Sequence, residues 1–306
     1  MEKILIIPLQ ILIFIFFAPF LSGLIAKIKN NLRMRQGQSV LQPYYNLAKL
    51  FSKEEVISET ASWIFRVTPF IVIGTVLCAA SLMPLFIFYN PMYFMGDFLA
   101  LIFIFALGRF FLALSALDAG SSFGGMGSSR EMFISSLVEP ALCLVIFSLF
   151  LKTGSTNLAV FGAFHEMSAS FIIAGIALFL ITLAETSRIP VDNQETHLEL
   201  TMVHEAMILE YSGRRLALIE LSSYIKQMIF FFLIAQIVFP IATPATGVAQ
   251  LFLWVLWYLT RIIIIAVAVA LVEVSIAKMR LFRVVDFLGF AFVLGIVASI
   301  CAILGV

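Results

Sequence analysis

The sequence predicts an all-α integral membrane protein with about eight transmembrane helices and long cytoplasmic loops. The 306-residue chain is 62% hydrophobic and its mean hydropathy is +1.09. Its apolar residues form runs of roughly 20 residues, the length that spans a bilayer as a helix. Charged residues make up 12% of the chain, with a net charge of +1, and they are segregated into connections. This pattern gives no indication of nucleic acid as a partner.

Eight apolar runs give the candidate spans. The first could be mistaken for a signal peptide, but it is too long, contains Pro8 and Pro19, and lacks a small-residue cleavage site. We find no internal repeat, so residues 1–306 are treated as a single polytopic domain. The predicted spans cover residues 4–24, 64–88, 97–117, 132–151, 168–187, 216–240, 250–274 and 284–305.

Lysine and arginine predict the orientation, because short loops rich in these residues stay in the cytoplasm. On the opposite side of the membrane only Lys3 and Lys152 remain. Both termini are therefore predicted to lie outside a prokaryotic cytoplasmic (inner) membrane. The predicted cytoplasmic loops lie at about 25–63, 118–131, 188–215 and 275–283.

The first cytoplasmic loop contains a short amphipathic segment. Leu47, Leu50 and Phe51 follow helical spacing beside Lys49 and Lys53. This pattern favours a helix at the membrane interface. A helix whose lysines simply reach lipid headgroups is the alternative.

The second loop, "LDAGSSFGGMGSSRE" from Leu117 to Glu131, is rich in glycine and serine. Such backbone can bend sharply near a membrane where protein covers it, so we expect this loop to pack under a partner. A phosphate-binding loop is not favoured, because no strand precedes the segment and no Gly-Lys-Ser/Thr follows it.

The third loop concentrates acids. Pro190 predicts a break after the fifth span, and Thr196 to Leu209 can form a helix. One interpretation is a carboxylate cluster at a cavity mouth, whose pKa values would be raised and which could exchange protons. The alternative is a solvated charged loop without a functional role. His197 and His204 are seven residues apart, which fits no standard zinc motif. The loop's carboxylates are Glu185, Asp192, Glu195, Glu199, Glu205 and Glu210.

Charged residues also interrupt the apolar runs. An isolated charge there costs about 3 kcal/mol or more, so such residues tend to mark an ion path or a buried pair. They are Arg109, Glu139, Glu185, Glu220, Lys226, Arg261 and Glu273. The three cysteines, Cys78, Cys143 and Cys301, are far apart and suit neither a disulfide framework nor an iron-sulfur or zinc site.

Three motifs give the chain a family resemblance. "LQPYYNLAKLFSKEE" begins at Leu41, "LDAGSSFGGMGSSRE" is followed by "LVEP", and "AETSRIPVD" and "EYSG" bracket the acidic loop. With these motifs the sequence resembles the membrane subunit of group-4 membrane-bound nickel-iron hydrogenases, of the formate hydrogenlyase and hydrogenase 4 type. The same family includes the quinone-site membrane subunit of respiratory NADH:quinone oxidoreductase (complex I). The glycine-rich motif is similar to the hydrogenase branch, and the resemblance covers nearly the whole chain.

The resemblance implies an eight-helix protein that has no active site of its own. It would dock a soluble redox arm and start a chain of carboxylates leading to antiporter-like subunits. Iron-sulfur clusters and a nickel-iron centre would lie on the partner subunits, which include hydrogenase-like large and small subunits. By position, Glu185, Asp192, Glu195, Glu199 and Glu210 match the family's acidic loop, Glu139 matches the acid of its fourth helix, and Arg130 and Glu131 match the end of its glycine-rich loop.

The sequence departs from the family at three places. It has Arg35-Gln36-Gly37-Gln38 where Arg-Arg-Gly-Pro is usual, and Pro190-Val191-Asp192 where Pro-Phe-Asp is usual. The connection containing His204 and Glu205 is about three residues longer than usual, nearly one helical turn. These departures put a quinone pocket in doubt.

Three functions are therefore compared: an anchor and ion-coupling subunit of a hydrogenase-like complex, a quinone-binding subunit of the same fold, and a stand-alone secondary transporter. The first is favoured, because a transporter would show paired broken helices in two related halves. The predicted ion-path residues are Glu139, Glu185, Asp192, Glu195, Glu199, Glu205, Glu210, Glu220, Arg261 and Glu273. The predicted docking residues are Gln42, Tyr44, Lys49, Gly124, Gly125, Arg130 and Glu131. No metal ligands are predicted.

Overall fold

A computed structural model describes residues 2–58, 60–84, 96–163, 168–192, 202–239 and 248–305. The described residues form helices joined by short connections. The helices are α1 (Glu2–Leu32), α2 (Gln42–Ser52), α3 (Trp63–Leu82), α4 (Phe98–Asp118), α5 (Ser122–Thr153), α6 (Leu158–Ala163), α7 (Ala169–Glu185), α8 (His204–Ile208), α9 (Gly213–Val238), α10 (Val248–Ser275) and α11 (Leu281–Leu304).

The predicted fold class is confirmed. Each of the eight predicted spans corresponds to a helix, namely α1, α3, α4, α5, α7, α9, α10 and α11 in chain order. Seven of these are long and apolar enough to cross a bilayer. Helix α7 has 17 residues and is about 26 Å long, at the lower end of the range for a membrane span.

The first span is longer than predicted. Helix α1 continues from residue 24 to Leu32, because Ile25 and Lys29 extend its buried face. Residues 25–32 of the predicted 25–63 loop are therefore helical. The amphipathic helix predicted in that loop is confirmed as α2, which packs on α1 and α9 through Pro43 and Leu47 and leaves Lys49 exposed.

The prediction of a glycine-rich loop at 118–131 was wrong for residues 122–131, which form the first turns of α5. The Ser121 side chain caps this helix by accepting a hydrogen bond from the Gly124 backbone N–H. A Cβ atom on Gly124 would lie 2.4 Å from the Ala116 carbonyl oxygen, and one on Gly127 would lie 2.8 Å from the Ala206 Cβ atom. The glycines therefore allow close packing on α4 and α8 rather than a bend.

Helix α9 is the centre of the bundle. It contacts α1, α2, α3, α7 and α10, and residues 227–237 are all buried. Around it, α11 packs on α5 and α7, and α3 packs on α4. Buried Gln10 of α1 donates hydrogen bonds to the carbonyl oxygens of Ala80 and Met83, both at 2.6 Å, and so satisfies backbone acceptors at the end of α3.

Candidate functional site

A buried carboxylate with two cations lies where α4, α7 and α9 meet. The Glu185 side chain at the end of α7 is 3% exposed. Arg109 of α4 donates a hydrogen bond from Nη2 to Glu185 Oε1 at 2.8 Å, and the Lys226 Nζ atom of α9 lies 2.7 Å from Glu185 Oε2. Arg109 also approaches Glu139 of α5, with 3.7 Å between Nη1 and Oε1. Four of the charges that interrupt apolar helices, Arg109, Glu139, Glu185 and Lys226, are thus linked by ion pairs.

A second ion-pair group joins α1 to α10. The Lys29 Nζ atom donates to Glu273 Oε2 at 3.1 Å, across 244 sequence positions. Arg188, just after α7, donates from Nη1 to Glu273 Oε1 at 3.3 Å and from Nη2 to Gln227 Oε1 of α9 at 2.8 Å. Arg188 therefore links the acid of α10 to the central helix.

Asp192 holds the two ends of the acidic connection together. Its Oδ2 atom accepts hydrogen bonds from the backbone N–H groups of Val203 at 3.2 Å and His204 at 3.1 Å, at the start of α8. Its Oδ1 atom accepts a 2.7 Å bond from Lys278, and the Met279 N–H donates to the Pro190 carbonyl oxygen at 2.9 Å. Both ends of the connection are thereby fixed against the short segment that precedes α11.

Two cavities adjoin these groups. The smaller, about 70 Å³, is lined by apolar residues, among them Val72, Val76, Phe105 and Leu112, and by polar residues that include Arg109, Glu131, Glu185, His204 and Lys226. The larger, about 170 Å³, is lined by Lys29, Asp192 and Glu273 among others. Because one water molecule needs a cavity volume of roughly 10–15 Å³, the smaller cavity can hold several water molecules.

The two cavities share one wall. Ser187, Arg188 and Tyr224 line both of them. Arg188 reaches Gln227 on one side and Glu273 on the other, so its side chain stands between the Glu185 group and the Glu273 group.

The other predicted ion-path residues lie elsewhere. Glu195 and Glu199, with His197, fall outside the described residues. Glu205 and Glu220 are half-buried, Glu210 is exposed, and none of these three lines either cavity.

Several predicted docking residues make contacts within the chain. Glu131 lines the smaller cavity, and Arg130 donates a 2.8 Å hydrogen bond to the Met202 carbonyl oxygen next to α8. The Tyr44 hydroxyl donates to the Phe16 carbonyl oxygen of α1, and Gln42 donates to Asn46 one turn later. Lys49 is exposed, and a Cβ atom on Gly125 would meet no atom within 4 Å.

The sequence interpretation missed Lys29, Arg188 and Tyr224 as site residues. Lys29 was assigned to a loop, because the apolar run ends before it although the helix continues. Arg188 lies in the predicted cytoplasmic loop 188–215, where its charge predicts only the orientation of the chain. The same feature of the sequence could have identified Lys29 and Arg188. Each is a cation next to an apolar span, where a buried charge requires a partner of opposite charge.

The "EYSG" motif has a structural role. The Tyr211 ring stacks on Phe65 with 4.0 Å between centroids, and its hydroxyl donates to the Phe65 carbonyl oxygen at 3.1 Å. Burial raises the pKa of Tyr211 to about 12, so this hydroxyl stays protonated. Gly213 has a φ of +53°, and a Cβ atom there would lie 2.5 Å from the Glu54 carbonyl oxygen. The motif therefore joins the start of α9 to α3 and to the connection after α2.

Arg261 differs from the other cations. Its side chain is 2% exposed, and it packs over the rings of Trp257 at 4.8 Å and Tyr258 at 5.5 Å. In the described part of the chain no carboxylate lies within ion-pair distance of it. Ring contacts recover about 1–2 kcal/mol, less than the cost of about 3 kcal/mol for an isolated charge at this depth.

His204 makes a pH-dependent contribution to stability. Burial, assisted by nearby Lys226, lowers the pKa of His204, while Glu205 and Asp192 act in the opposite direction. Below its ordinary value of 6.5, the unfolded chain takes up a proton that folded His204 does not bind. We therefore expect stability to fall on acidification, by up to about 1.4 kcal/mol per pH unit.

Thermal unfolding between pH 7.5 and 5.5 measures this effect. The His204→Gln variant should lose less stability than the parent over this range, because glutamine cannot bind the proton. Equal pH dependence in both proteins would contradict the assignment.

Comparison with known proteins gives consistent matches over nearly the whole chain. Residues 4–304 match the protein family described as NADH dehydrogenase. Formate hydrogenlyase subunit 4 of Escherichia coli (strain K12) is 31% identical over 279 residues, which cover 89% of this chain and 90% of that protein. Hydrogenase-4 component C of the same organism is 32% identical over 289 residues, covering 92% and 91%.

The fold also matches a solved structure. A chain of the membrane-bound sulfane sulfur reductase, an archaeal respiratory membrane complex, superposes with a TM-score of 0.85 at 17% identity. The match covers 99% of this chain and 100% of that chain. At this identity the likeness shows the fold alone.

Proposed function

Since the chain belongs to the NADH dehydrogenase family, we propose that it anchors a soluble redox arm and couples the chemistry of that arm to ion movement. The chain is a membrane subunit of a complex I-related, hydrogenase-like complex. It contributes charge and conformation to that complex, while electrons stay on the partner subunits.

One observation carries the ion-coupling proposal. Glu185 is a buried carboxylate at a water-sized cavity, and its charge is balanced by Arg109 at 2.8 Å and Lys226 at 2.7 Å. These cations come from different helices, so a movement of either helix changes the balance. A buried carboxylate that loses one of its cations is poorly stabilised and favours uptake of a proton from the cavity.

Arg188 lines both cavities and lies between the ion pairs of Glu185 and those of Glu273. A change in its hydrogen bonds would therefore change which ion pair is exposed to which cavity. Its guanidinium holds Glu273 and Gln227 at the same time, and the connection that carries it is tied to α8 through Asp192. A displacement of α8 would therefore reach Arg188 through a short stretch of backbone. We propose that docking or reduction of the soluble arm acts on the Glu185 group by this route.

The soluble arm is proposed to dock on the predicted cytoplasmic side, on exposed parts of α2 and the start of α5. Tyr45 is 63% exposed, Met126 is 47% exposed, and Lys49 adds a positive charge. The proposed partners are hydrogenase-like large and small subunits and iron-sulfur subunits in the arm, antiporter-like subunits within the membrane, and lipid. The iron-sulfur and nickel-iron centres are assigned to these partners. The cysteines of this chain lie on three different helices, α3, α5 and α11.

The chain is a multi-pass membrane protein. We propose the prokaryotic cytoplasmic (inner) membrane as its location, with both termini outside, because lysine and arginine concentrate on the opposite face.

A quinone site is less well supported than an ion path. The larger cavity has the volume for a benzene-sized ring, but charged Lys29, Arg188, Asp192 and Glu273 line it. The smaller cavity has more apolar lining, but its volume of about 70 Å³ is below that of such a ring. Small-molecule sites for apolar rings are lined mainly by apolar and aromatic side chains. We therefore propose that the larger cavity holds water and charge.

Two neighbouring glycines test the docking proposal. A valine at Gly125 meets open space within this chain, so Gly125→Val should leave the chain folded and reduce by about tenfold or more the soluble subunits that copurify with it. A valine at Gly124 would collide with the Ala116 carbonyl oxygen, so Gly124→Val should destabilise the chain itself by about 1–3 kcal/mol.

Affinity purification of a tagged chain from mild detergent provides the measurement. Soluble iron-sulfur and nickel-iron subunits should accompany the parent chain and be lost with Gly125→Val. Full recovery of these subunits with Gly125→Val would place the docking surface elsewhere, and a parent chain that purifies alone would favour a stand-alone transporter.

A further inference from the structure

A buried arginine without a carboxylate among the described residues lies midway along α10. Arg261 is at the midpoint of the 28-residue helix α10, about 20 Å along the axis from either end. Its side chain is 2% exposed, and Nε and Nη1 are buried without a hydrogen-bond partner. The described residues around it offer the aromatic faces of Trp257 and Tyr258.

The aromatic rings do not replace a counter-charge. Cation–π attraction is directed at a ring face and leaves the guanidinium N–H donors unused. A guanidinium in the membrane interior needs a carboxylate, a backbone acceptor or water to be well stabilised. Other cations of the bundle have such a partner, since a carboxylate lies within hydrogen-bond distance of Lys29, Arg109, Arg188, Lys226 and Lys278.

Lipid acyl chains offer no such partner. Arg261 lies six residues, about 9 Å, inside the apolar span Val255–Ser275. The hydrocarbon at this position has no hydrogen-bond acceptor. A carboxylate on a neighbouring transmembrane helix would therefore stabilise the guanidinium where lipid does not.

The side of α10 next to Arg261 is open. Leu253 is 60% exposed, Leu256 49%, Trp257 54% and Ile264 54%, whereas the opposite side of the helix packs on α1 and α9. Trp257, which covers the guanidinium, belongs to this open face. A helix packed on the face would lie against the indole ring that covers the Arg261 guanidinium.

We propose that this face of α10, formed by Leu253, Leu256, Trp257 and Ile264, binds a transmembrane helix of another membrane subunit. That helix carries an aspartate or glutamate whose carboxylate pairs with Arg261. The inference rests on the proposed function in one respect, that the chain assembles with other membrane subunits. It also moves Arg261 from the ion path to a subunit interface, since Arg261 lines neither cavity.

Photocrosslinking of the purified complex tests the interface. With benzoylphenylalanine in place of Trp257, the crosslinked peptide should come from a transmembrane segment of a second membrane subunit, with an Asp or Glu within one helical turn of the crosslink. The same replacement of Phe103, which is 72% exposed on α4, provides the labelling baseline. Crosslinks to lipid alone, or to a segment without an acid, would overturn the proposal.

Substitution of Arg261 tests the ion pair. Arg261→Met should reduce the yield of the crosslinked subunit in the purified complex by about tenfold or more, and Arg261→Lys should retain most of it because the charge remains. Full retention with Arg261→Met would overturn the pairing. A chain that purifies without any other subunit would instead refute the proposed function, and the crosslinking variant keeps Arg261 intact if the methionine variant fails to fold.

Discussion

Replacing Glu185 with glutamine is expected to destabilise the assembled protein by about 3–5 kcal/mol. The reason is that Arg109 and Lys226 would lose the carboxylate they share, and breaking a buried ion pair leaves uncompensated charge. The midpoint of thermal unfolding in detergent measures the loss. Glutamine keeps the size of the side chain, so the effect reports charge rather than packing.

A charge-balanced double variant separates the effect of Glu185 on protein stability from its proposed role in proton exchange. Glu185→Gln/Lys226→Gln removes one charge of each sign, and Arg109 keeps Glu139 at 3.7 Å. Most of the lost stability should therefore return. Lys226→Gln alone should cost less than Glu185→Gln, since Glu185 retains Arg109. If Glu185→Gln unfolded at the parent temperature, Glu185 would not be the charge centre of this group.

Glu273→Gln is expected to cost about 3–5 kcal/mol, while Lys29→Met should cost about 1 kcal/mol. Glutamine deprives both Lys29 and Arg188 of their common carboxylate, whereas methionine leaves Glu273 with Arg188 at 3.3 Å. The two variants thus test one ion pair from its two ends. Equal losses in thermal unfolding would show that Arg188 does not stabilise Glu273.

The sequence predicted the membrane helices well, because burial in lipid requires long apolar runs that are easy to read. It failed at the start of α5, where glycines suggested a loop. In a helix bundle the same residues allow two backbones to approach, as Gly124 does against Ala116. Which of the two roles a glycine has depends on its neighbour in space, and the neighbour is not visible in the sequence.

The candidate site was predicted in part. The charges inside apolar runs were predicted to mark an ion path or buried pairs. Arg109, Glu139, Glu185, Lys226 and Glu273 form ion pairs, whereas Arg261 forms none among the described residues. The ion path stays a prediction. The pairing itself could not be predicted, since Lys29 and Glu273 are 244 positions apart. The sequence predicts a loop at Glu131 and therefore a docking role, but Glu131 belongs to α5 and lines the smaller cavity.

Asp192 shows the limit of inference from acid clusters. In the sequence it is one of several loop carboxylates, while in the structure it is buried and accepts two backbone N–H groups and Lys278. Its charge is used to fix the connection. A path role therefore remains a prediction for this residue, as it does for Glu195 and Glu199.

The most direct test of the central claim is the ratio of ion uptake to donor turnover in vesicles that contain the purified complex. It should be measured with Glu185→Gln/Lys226→Gln, whose charge balance preserves assembly. We predict that donor turnover persists while the ion-to-electron ratio falls by about tenfold or more, since glutamine cannot exchange a proton. A ratio equal to that of the parent complex would contradict the assignment of Glu185 to the ion path.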